Sequence, residues 1–204
     1  MLARRPPQNS VWGCSIGKRL LILCTAVCLV LEMTGCGGIS RANANIAFMG
    51  DSITYYWWLP TTNLGVPGNT TLNMLERFPT EVPGHPYRAV VILGGTNDVR
   101  NRGIAIQTEV SRAIASIEAM AEEAESDNIL VVLCTIPPIR NQNERVLPMN
   151  VAIEALAEQH HYKLVDYYTP MDGHPEYFKD GIHPSQDGYF VMQRALTKVL
   201  SLDY

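Results

Sequence analysis

Short apolar runs without polar alternation constrain the fold of this chain more than any other feature. The clearest are Ile46 to Met49, Ala89 to Leu93 and Ile129 to Cys134, and Tyr162 to Val165 is a weaker one. Runs rich in Val, Ile and Leu that lack a polar face are typical of strands buried on both faces of a parallel sheet. The sequence therefore predicts an α/β domain built on such a sheet.

Amphipathic segments separate these runs and predict the helices that cover the sheet. From Ile106 to Ala124, apolar residues recur three and four positions apart, which marks one face of a helix. Similar segments are Thr70 to Phe78, Leu147 to Ala157 and Tyr189 to Leu200, the last with Ser185 as its N-cap. The alternation predicts a three-layer α/β/α domain with a mostly parallel central sheet and right-handed crossovers. In such sheets ligands bind off the carboxyl ends of the strands.

The first residues have the pattern of an export signal. Basic residues at positions 4, 5, 18 and 19 precede an apolar stretch from Leu20 to Leu31, as in a secretory signal. At about twelve residues, the stretch is short for a membrane span, which needs roughly 20. Met33 to Cys36 then resembles a bacterial lipobox, although Met33 replaces the usual leucine and Glu32 adds a charge. The resemblance implies that Cys36 is acylated and becomes the first residue of the mature chain.

This pattern predicts a leader over residues 1–36, a short tether over 37–44 and a catalytic domain over 45–204. Acyl chains on Cys36 would attach the domain to a membrane surface. By resemblance to Gram-negative lipoproteins, Gly37 in place of aspartate disfavours inner-membrane retention. We therefore expect an exported cell-envelope lipoprotein that faces the periplasm, in the outer membrane if the cell is Gram-negative. An ordinary cleaved signal, with a secreted or periplasmic product, and an uncleaved anchor remain alternatives.

Charge and cysteine content exclude several function classes. A formal net charge of −4 argues against nucleic acid as a partner, because proteins that bind phosphate backbones usually present a basic face. Of five cysteines, only Cys134 lies in the predicted domain, where it is expected to be a small buried apolar residue. No cysteine pair has the spacing of a zinc site. We expect neither a metal nor an organic cofactor.

Polar and glycine-rich segments follow the predicted strands at their carboxyl ends. Ser52 ends the segment Gly-Asp-Ser after the first run, and Asn97 lies in Gly-Gly-Thr-Asn-Asp after the second. Gly68 precedes a predicted helix, and Asp180 and His183 lie shortly before the last one. Taken singly, each suits a turn or a helix cap. Together, they can converge at one edge of the sheet.

In this order the segments resemble the four blocks of the SGNH hydrolases, also called GDSL esterases and lipases. Ser52 matches the nucleophile block, with isoleucine in place of the motif's leucine. Gly68 matches the glycine block and Asn97 the asparagine block, while Asp180 and His183 match the Asp-x-x-His block. The glycine block also fits at Asn63, Gly65 and Thr70. The resemblance covers the chain from about Asn45 onward and implies a flavodoxin-like fold.

The resemblance also implies a mechanism. Ser52 would be the nucleophile, His183 its base and Asp180 the residue that orients the histidine. The backbone N–H groups of Ser52 and Gly68 and the side-chain amide of Asn97 would form the oxyanion hole. The implied activity is hydrolysis of a carboxylic ester through an acyl-serine intermediate, on a small or lipid-like ester such as an acetyl ester or a lysophospholipid. Acyl transfer to an envelope glycan and non-catalytic binding on the same fold are the alternatives.

Other features leave alternatives open. His174 lies in Asp-Gly-His-Pro, whose spacing does not match the Asp-x-x-His block, so it is not expected to be the base. Tyr55 to Trp58 either pack into the core or line the acyl or alcohol site. Pro137 to Glu144 either contacts the leaving group or, as we favour, is a solvated connection. The remaining histidines are expected at the surface, at positions 85, 160 and 161.

Overall fold

Five parallel strands form the sheet that the apolar runs predict. The computed structural model describes residues 45–59 and 61–200. Its strands are β1 (Ile46–Gly50), β2 (Thr62–Gly65), β3 (Ala89–Leu93), β4 (Leu130–Cys134) and β5 (Lys163–Val165). Their order across the sheet is β2-β1-β3-β4-β5, and all neighbouring pairs are parallel. This is the flavodoxin-like order, and the predicted three-layer α/β/α fold is confirmed.

The strand register brings three strand ends to one level. Gly50, the last residue of β1, pairs with Gly65 of β2 and with Leu93 of β3. Every residue of β1 and β3 is buried, as expected for strands covered on both faces. The chain places β2 on one side of β1 and then β3, β4 and β5 on the other, so the direction in which strands are added to the sheet reverses at β1. In folds of this type the ligand crevice forms at such a switch point.

The apolar runs did not predict β2. Its sequence, Thr-Asn-Leu-Gly, has one large apolar residue, and the strand is half-buried to exposed at the edge of the sheet. The strand forms because it pairs with β1. The two strands are separated in sequence, so the local pattern of apolar residues does not indicate the pairing.

Helices cover the sheet as the amphipathic segments predict. They are α1 (Ser52–Tyr55), α2 (Thr71–Glu81), α3 (Thr96–Val99), α4 (Ile106–Ser126), α5 (Asn143–His160) and α6 (Gln186–Leu200), with a 3-10 turn at Pro175–Tyr177. Helix α4 packs between α2 and α5, whereas α6 packs on β5. Right-handed crossovers place α2, α4 and α5 on one face of the sheet. Helix α6 lies against α1, where the Tyr189 hydroxyl donates to the Ile53 carbonyl at 2.8 Å. Within residues 45–59 and 61–200, no helix has the length and apolar character needed to cross a bilayer.

Two residue-level predictions about the domain are confirmed. The Ser185 Oγ accepts the Gly188 N–H at 3.3 Å and so caps α6. Cys134 is buried on β4, and burial raises the pKa of its thiol to about 12, so it packs as a small apolar residue. The predicted leader, the lipobox from Met33 to Cys36 and the tether over 37–44 lie outside the described residues.

Candidate active site

The turn after β1 presents Ser52 at the edge of the sheet. Asp51 caps the short helix α1 by accepting the Ile53 N–H at 2.8 Å. A Cβ added at Gly50 would lie 2.0 Å from the Thr54 Oγ1, so a side chain at this position would clash with α1. Ser52 is the first residue of α1 and is 8% exposed. The strand and the cap thus hold Ser52 at the edge of the sheet, with a small part of the residue exposed.

Ser52, His183 and Asp180 form a continuous chain of hydrogen bonds. The Ser52 Oγ lies 3.0 Å from His183 Nε2, and His183 Nδ1 lies 2.7 Å from Asp180 Oδ2. Ser52 and His183 are 131 positions apart in sequence. The fold therefore brings together the three residues that the sequence predicts as a triad, at distances suited to proton transfer.

The loop that carries Asp180 and His183 is ordered by its own backbone. The Asp180 Oδ1 accepts the N–H groups of Ile182 at 2.9 Å and His183 at 2.8 Å. The Lys179 N–H donates to the His183 carbonyl at 2.8 Å. Partial burial opposes ionisation of Asp180, but the hydrogen bonds from the His183 side chain and from these backbone groups outweigh it and hold its pKa well below the usual range. A charged Asp180 orients the imidazole.

Asn97 lies close to the nucleophile turn, at the start of α3. Gly95 precedes this helix with φ of 116°, a backbone conformation that favours glycine. The Asn97 Nδ2 donates to the Asn69 carbonyl at 2.9 Å and to the Asp51 Oδ2 at 3.4 Å. Its Oδ1 accepts from Arg100 at 3.3 Å. The amide N–H groups thus face Asn69 and, at the longer distance, the Asp51 carboxylate next to Ser52.

Gly68 lies in the turn after β2, next to Asn69. Its φ is 83°, and a Cβ added there would meet no atom within 4 Å. The left-handed backbone conformation explains the glycine, and the open space leaves its surroundings accessible to a ligand. Because Asn69 accepts from Asn97, the glycine turn and the predicted oxyanion amide are adjacent.

The Asp51 carboxylate is fully buried beneath this arrangement. It is 0% exposed, and burial raises its pKa to about 6, although the Ile53 N–H favours the charged form. Sequence reasoning treated Asp51 only as part of the nucleophile motif. In the structure it contacts both α1 and Asn97.

Arg77 is a positioning residue that the sequence did not reveal. From α2, its guanidinium donates to the Gly50 carbonyl at 3.0 Å, the Leu64 carbonyl at 2.7 Å and the Asn69 Oδ1 at 2.9 Å. It also pairs with Glu81. One side chain thus joins the ends of β1 and β2 to the turn beside Gly68. An arginine on a helix carries no local signal of such contacts.

The four aromatic residues after Ser52 divide between the core and the surface. Trp57 is 3% exposed and contacts the rings of Phe48, Tyr167 and Tyr189. The other three are about half exposed, at Tyr55, Tyr56 and Trp58. The Tyr56 ring stands edge-on to His183, with 5.8 Å between ring centroids. The core interpretation is therefore confirmed for Trp57, and Tyr56, beside His183, stays a candidate to line the site.

The other histidines contact groups outside the triad. His174 Nδ1 lies 2.9 Å from Glu176, and its ring stacks on Tyr177. His85 lies beside the Pro83 carbonyl, and His160 beside Glu118. His161 is exposed after α5. Across residues 45–59 and 61–200, no group of three His, Cys, Asp or Glu side chains is arranged to hold a metal ion.

The segment from Pro137 to Glu144 is more than a solvated connection. Pro138 and Ile139 are buried, and the Arg140 N–H donates to the Gly181 carbonyl at 2.9 Å. The Arg140 side chain lies against Gly181, where an added Cβ would be 2.6 Å from its Nε. This segment therefore packs directly on the loop that carries Asp180 and His183.

A family model described as GDSL-like lipase/acylhydrolase matches residues 58–190. The matched range includes Gly68, Asn97, Asp180 and His183 and begins after Ser52, and it spans more than half of the chain. A search of curated proteins finds no match.

Solved structures share the fold over most of their length. A GDSL-like lipase from Bacteroides thetaiotaomicron is 27% identical with a TM-score of 0.72, over 80% of this chain and 91% of that one. A protein from Bacteroides fragilis is 29% identical with a TM-score of 0.70, over 78% and 88%. A lipase/acylhydrolase from Enterococcus faecalis is 26% identical with a TM-score of 0.64, over 75% and 93%.

Proposed function

Since the chain belongs to the GDSL-like lipase/acylhydrolase family, a group of ester hydrolases, we propose that it cleaves carboxylic esters through an acyl-Ser52 intermediate. The observation that carries this proposal is the hydrogen-bonded chain from Ser52 through His183 to Asp180. A serine hydroxyl becomes a useful nucleophile only when a neighbouring base removes its proton. His183 is at the distance that this transfer needs.

The first half of the reaction forms the acyl-enzyme. Ser52 Oγ attacks the carbonyl carbon of the ester while its proton passes to His183 Nε2. The tetrahedral intermediate then breaks its bond to the alcohol oxygen, which takes the proton from His183 and leaves as the free alcohol. Asp180 stabilises the imidazolium that exists between these two transfers.

The second half restores the enzyme. A water molecule gives a proton to His183 and attacks the acyl carbon, and the second tetrahedral intermediate breaks its bond to Ser52 Oγ. The serine recovers the proton from His183, and the carboxylic acid leaves. The products are one acid and one alcohol from one ester and one water.

Three donors would stabilise the oxygen that becomes negative in both steps: the N–H groups of Ser52 and Gly68 and the amide of Asn97. The two N–H bonds of Asn97 point to Asn69 and, at the longer distance of 3.4 Å, to Asp51. The contact with Asp51 is the weaker one. We infer that this N–H turns to the oxyanion as charge develops.

The half-exposed aromatic side chains around the nucleophile support a small or lipid-like acyl group. Tyr55, Tyr56 and Trp58 follow Ser52, and Trp58 contacts the half-exposed ring of Phe190 on α6. Such rings provide exposed apolar area on the segment that follows the nucleophile, and the Tyr56 ring lies beside His183. Acetyl esters and lysophospholipids are both compatible with this surface.

The test is turnover of p-nitrophenyl esters, from acetyl to octanoyl, by the purified full chain. We expect release of nitrophenol, and a loss of about 10⁴-fold or more in kcat in Ser52→Ala. A folded wild-type protein that turns over none of these esters would refute the proposal and favour a non-catalytic binding protein. Equal rates for wild type and Ser52→Ala would refute the acyl-serine mechanism.

We also propose that the chain is exported and attached to a membrane through acylated Cys36. The basic and apolar leader and the lipobox-like residues Met33 to Cys36 support this. Metabolic labelling with palmitate should mark the wild type and be lost in Cys36→Ala, with Cys28→Ala as the matched control that keeps the label. Persistent labelling of Cys36→Ala would contradict the anchor.

A further inference from the structure

A solvent-open cavity of about 260 Å³ lies beside the loop that carries Asp180 and His183. Its walls come from two segments that have no part in the mechanism above. Arg140, Asn141 and Asn143 line it from the segment after β4. Asp172, His174 and Phe178 line it from the segment after β5. Gly181, between Asp180 and His183, lines it as well, so the cavity borders the catalytic loop.

Polar groups in this cavity are short of partners. Arg140 is exposed, and its guanidinium, with no hydrogen bond or ion pair within residues 45–59 and 61–200, is free to donate to a ligand. The Asn143 Nδ2 donates to Asp172 at 3.3 Å, but its Oδ1 is buried and accepts no hydrogen bond from any described group. Buried polar atoms in native proteins are usually paired with protein, water or ligand. The cavity therefore offers a buried acceptor and a set of guanidinium donors to a polar molecule.

The mixture of donors and acceptors indicates which polar molecule fits. Arg140 only donates, Asp172 when charged only accepts, and Asn143 and His174 can provide both. A phosphate or carboxylate would use the donors alone and would be repelled by Asp172. An acyl chain would leave the Asn143 oxygen unpaired, which is costly. Hydroxyl groups, each both a donor and an acceptor, match the whole set.

The position of the cavity indicates which part of the ester it meets. In the proposed mechanism, His183 protonates the leaving oxygen, so the alcohol portion must lie on the His183 side of the carbonyl. Arg140 packs on Gly181, two residues before His183, and its N–H holds the Gly181 carbonyl. The acyl portion instead remains bonded to Ser52.

We propose that this cavity binds the alcohol portion of the substrate and that this alcohol is a sugar. The volume equals that of about nine water molecules at roughly 30 Å³ each, which is the scale of one sugar ring. Its apolar wall, at Ile139 and Phe178, provides a surface for the C–H face of the ring. The inference rests on the proposed esterase function and narrows it to esters of hydroxyl-rich alcohols.

The experiment compares two acetyl esters that differ only in the alcohol: an O-acetylated monosaccharide and p-nitrophenyl acetate. The quantity measured is the ratio of kcat/KM for the sugar ester to kcat/KM for the aryl ester. In Asn143→Ala and in Arg140→Ala this ratio should fall about tenfold, because each loses a hydrogen bond to the sugar. Arg112→Ala, an exposed arginine on α4, is the matched control and should keep the wild-type ratio.

The outcomes separate the subsite from the enzyme activity. An unchanged ratio in both cavity variants, with normal turnover of p-nitrophenyl acetate, would overturn the subsite and leave the esterase function intact. An equal loss on both esters would also overturn it, since that pattern indicates displacement of the catalytic loop. A wild type that hydrolyses neither ester would refute the proposed function itself. A loss confined to the sugar ester would support the proposal.

Discussion

Two carboxylates flank the Ser52–His183 pair, and their environments are opposite. Asp51 lies under the nucleophile turn with no exposed surface, and burial raises its pKa to about 6. Asp180 lies on the loop before α6 with a side chain that is 53% exposed. Partial burial acts to raise the pKa of Asp180, but hydrogen bonds with His183 and Ile182 outweigh it, and the pKa is lowered.

The difference shows that the two halves of the site are built by different means. The nucleophile half is an extension of the buried strand β1, and its geometry depends on packing and on contacts such as those of Arg77. The base half is an exposed loop that its own hydrogen bonds keep in shape. Substitutions in the base half should therefore lower kcat with only a small decrease in the free energy of unfolding. Changes in the nucleophile half should affect both.

The largest effect is expected from Asp180→Asn. The amide keeps an acceptor for the backbone N–H groups but turns an NH₂ group toward His183, which selects the wrong imidazole tautomer. By the precedent of serine protease triads, kcat should fall by about 10⁴-fold. Near pH 7 the free energy of unfolding in urea should fall only modestly, by about 1 kcal/mol, because the amide keeps an acceptor for the backbone N–H groups but loses the charge that these hydrogen bonds favour. A loss of rate below tenfold, or a large loss of stability, would break the contrast between the two halves.

A smaller loss is expected from Asn97→Ala. Removal of one oxyanion donor typically costs about 10²- to 10³-fold in kcat, and KM should change little because the donor acts mainly on the transition state. Steady-state kinetics with p-nitrophenyl acetate provide the measurement. Arg100→Ala is the control, since it removes only the contact to the Asn97 Oδ1. If the control loses as much rate as Asn97→Ala, the amide orientation rather than the donor itself limits catalysis.

The last effect concerns stability rather than rate: Asp51→Asn should change how the free energy of unfolding depends on pH. The folded-state pKa of about 6 exceeds the ordinary value of 3.8, so between these pH values the folded protein retains a proton that the unfolded chain has released. The free energy of unfolding therefore falls as pH rises through this range, by about 3 kcal/mol from this group. In Asp51→Asn that component should be absent.

The measurement for Asp51 is urea unfolding of both proteins at pH 4, 5, 6 and 7. The difference between wild type and variant isolates the group, because other carboxylates contribute equally to both. Asp180 has the opposite effect on stability. Because its pKa is lowered in the folded protein, it raises the free energy of unfolding above about pH 4, and this contribution is lost as pH falls. Parallel pH profiles for wild type and Asp51→Asn would show that Asp51 is not protonated in the folded state near pH 5.

The fold was predictable from the sequence because its signals are local, and the triad was predictable because its separate motifs together resemble those of a known family. Strands β1, β3 and β4 are buried on both faces, and such strands appear in the sequence as short runs of apolar residues without polar alternation. Asp180 and His183 are three residues apart, so one loop delivers both side chains. The predicted helices were correct in position, although α5 begins at Asn143 and continues through Pro148, where a proline usually discourages extension.

What the sequence did not reveal depends on long-range contacts. Edge strand β2 exists because Thr62 to Gly65 pairs with β1. The contacts of Arg77 with Gly50 and Leu64 follow from the packing of α2. The segment around Arg140 has the composition of an ordinary polar loop, and only the fold brings it against Gly181. Residues of this kind have no local pattern of their own.

The parallel direction of β1 has a practical consequence. The strand enters the sheet at Ile46 and runs for five residues, or about 16 Å, to Gly50, and Ser52 follows just beyond that end. Any support joined to the chain ahead of Asn45 therefore meets the domain at the edge of the sheet opposite the reacting serine. Immobilising the enzyme on beads or an electrode by that end should leave the catalytic face open to substrate, whereas coupling through the residues of α6 nearest Ser185 should obstruct it.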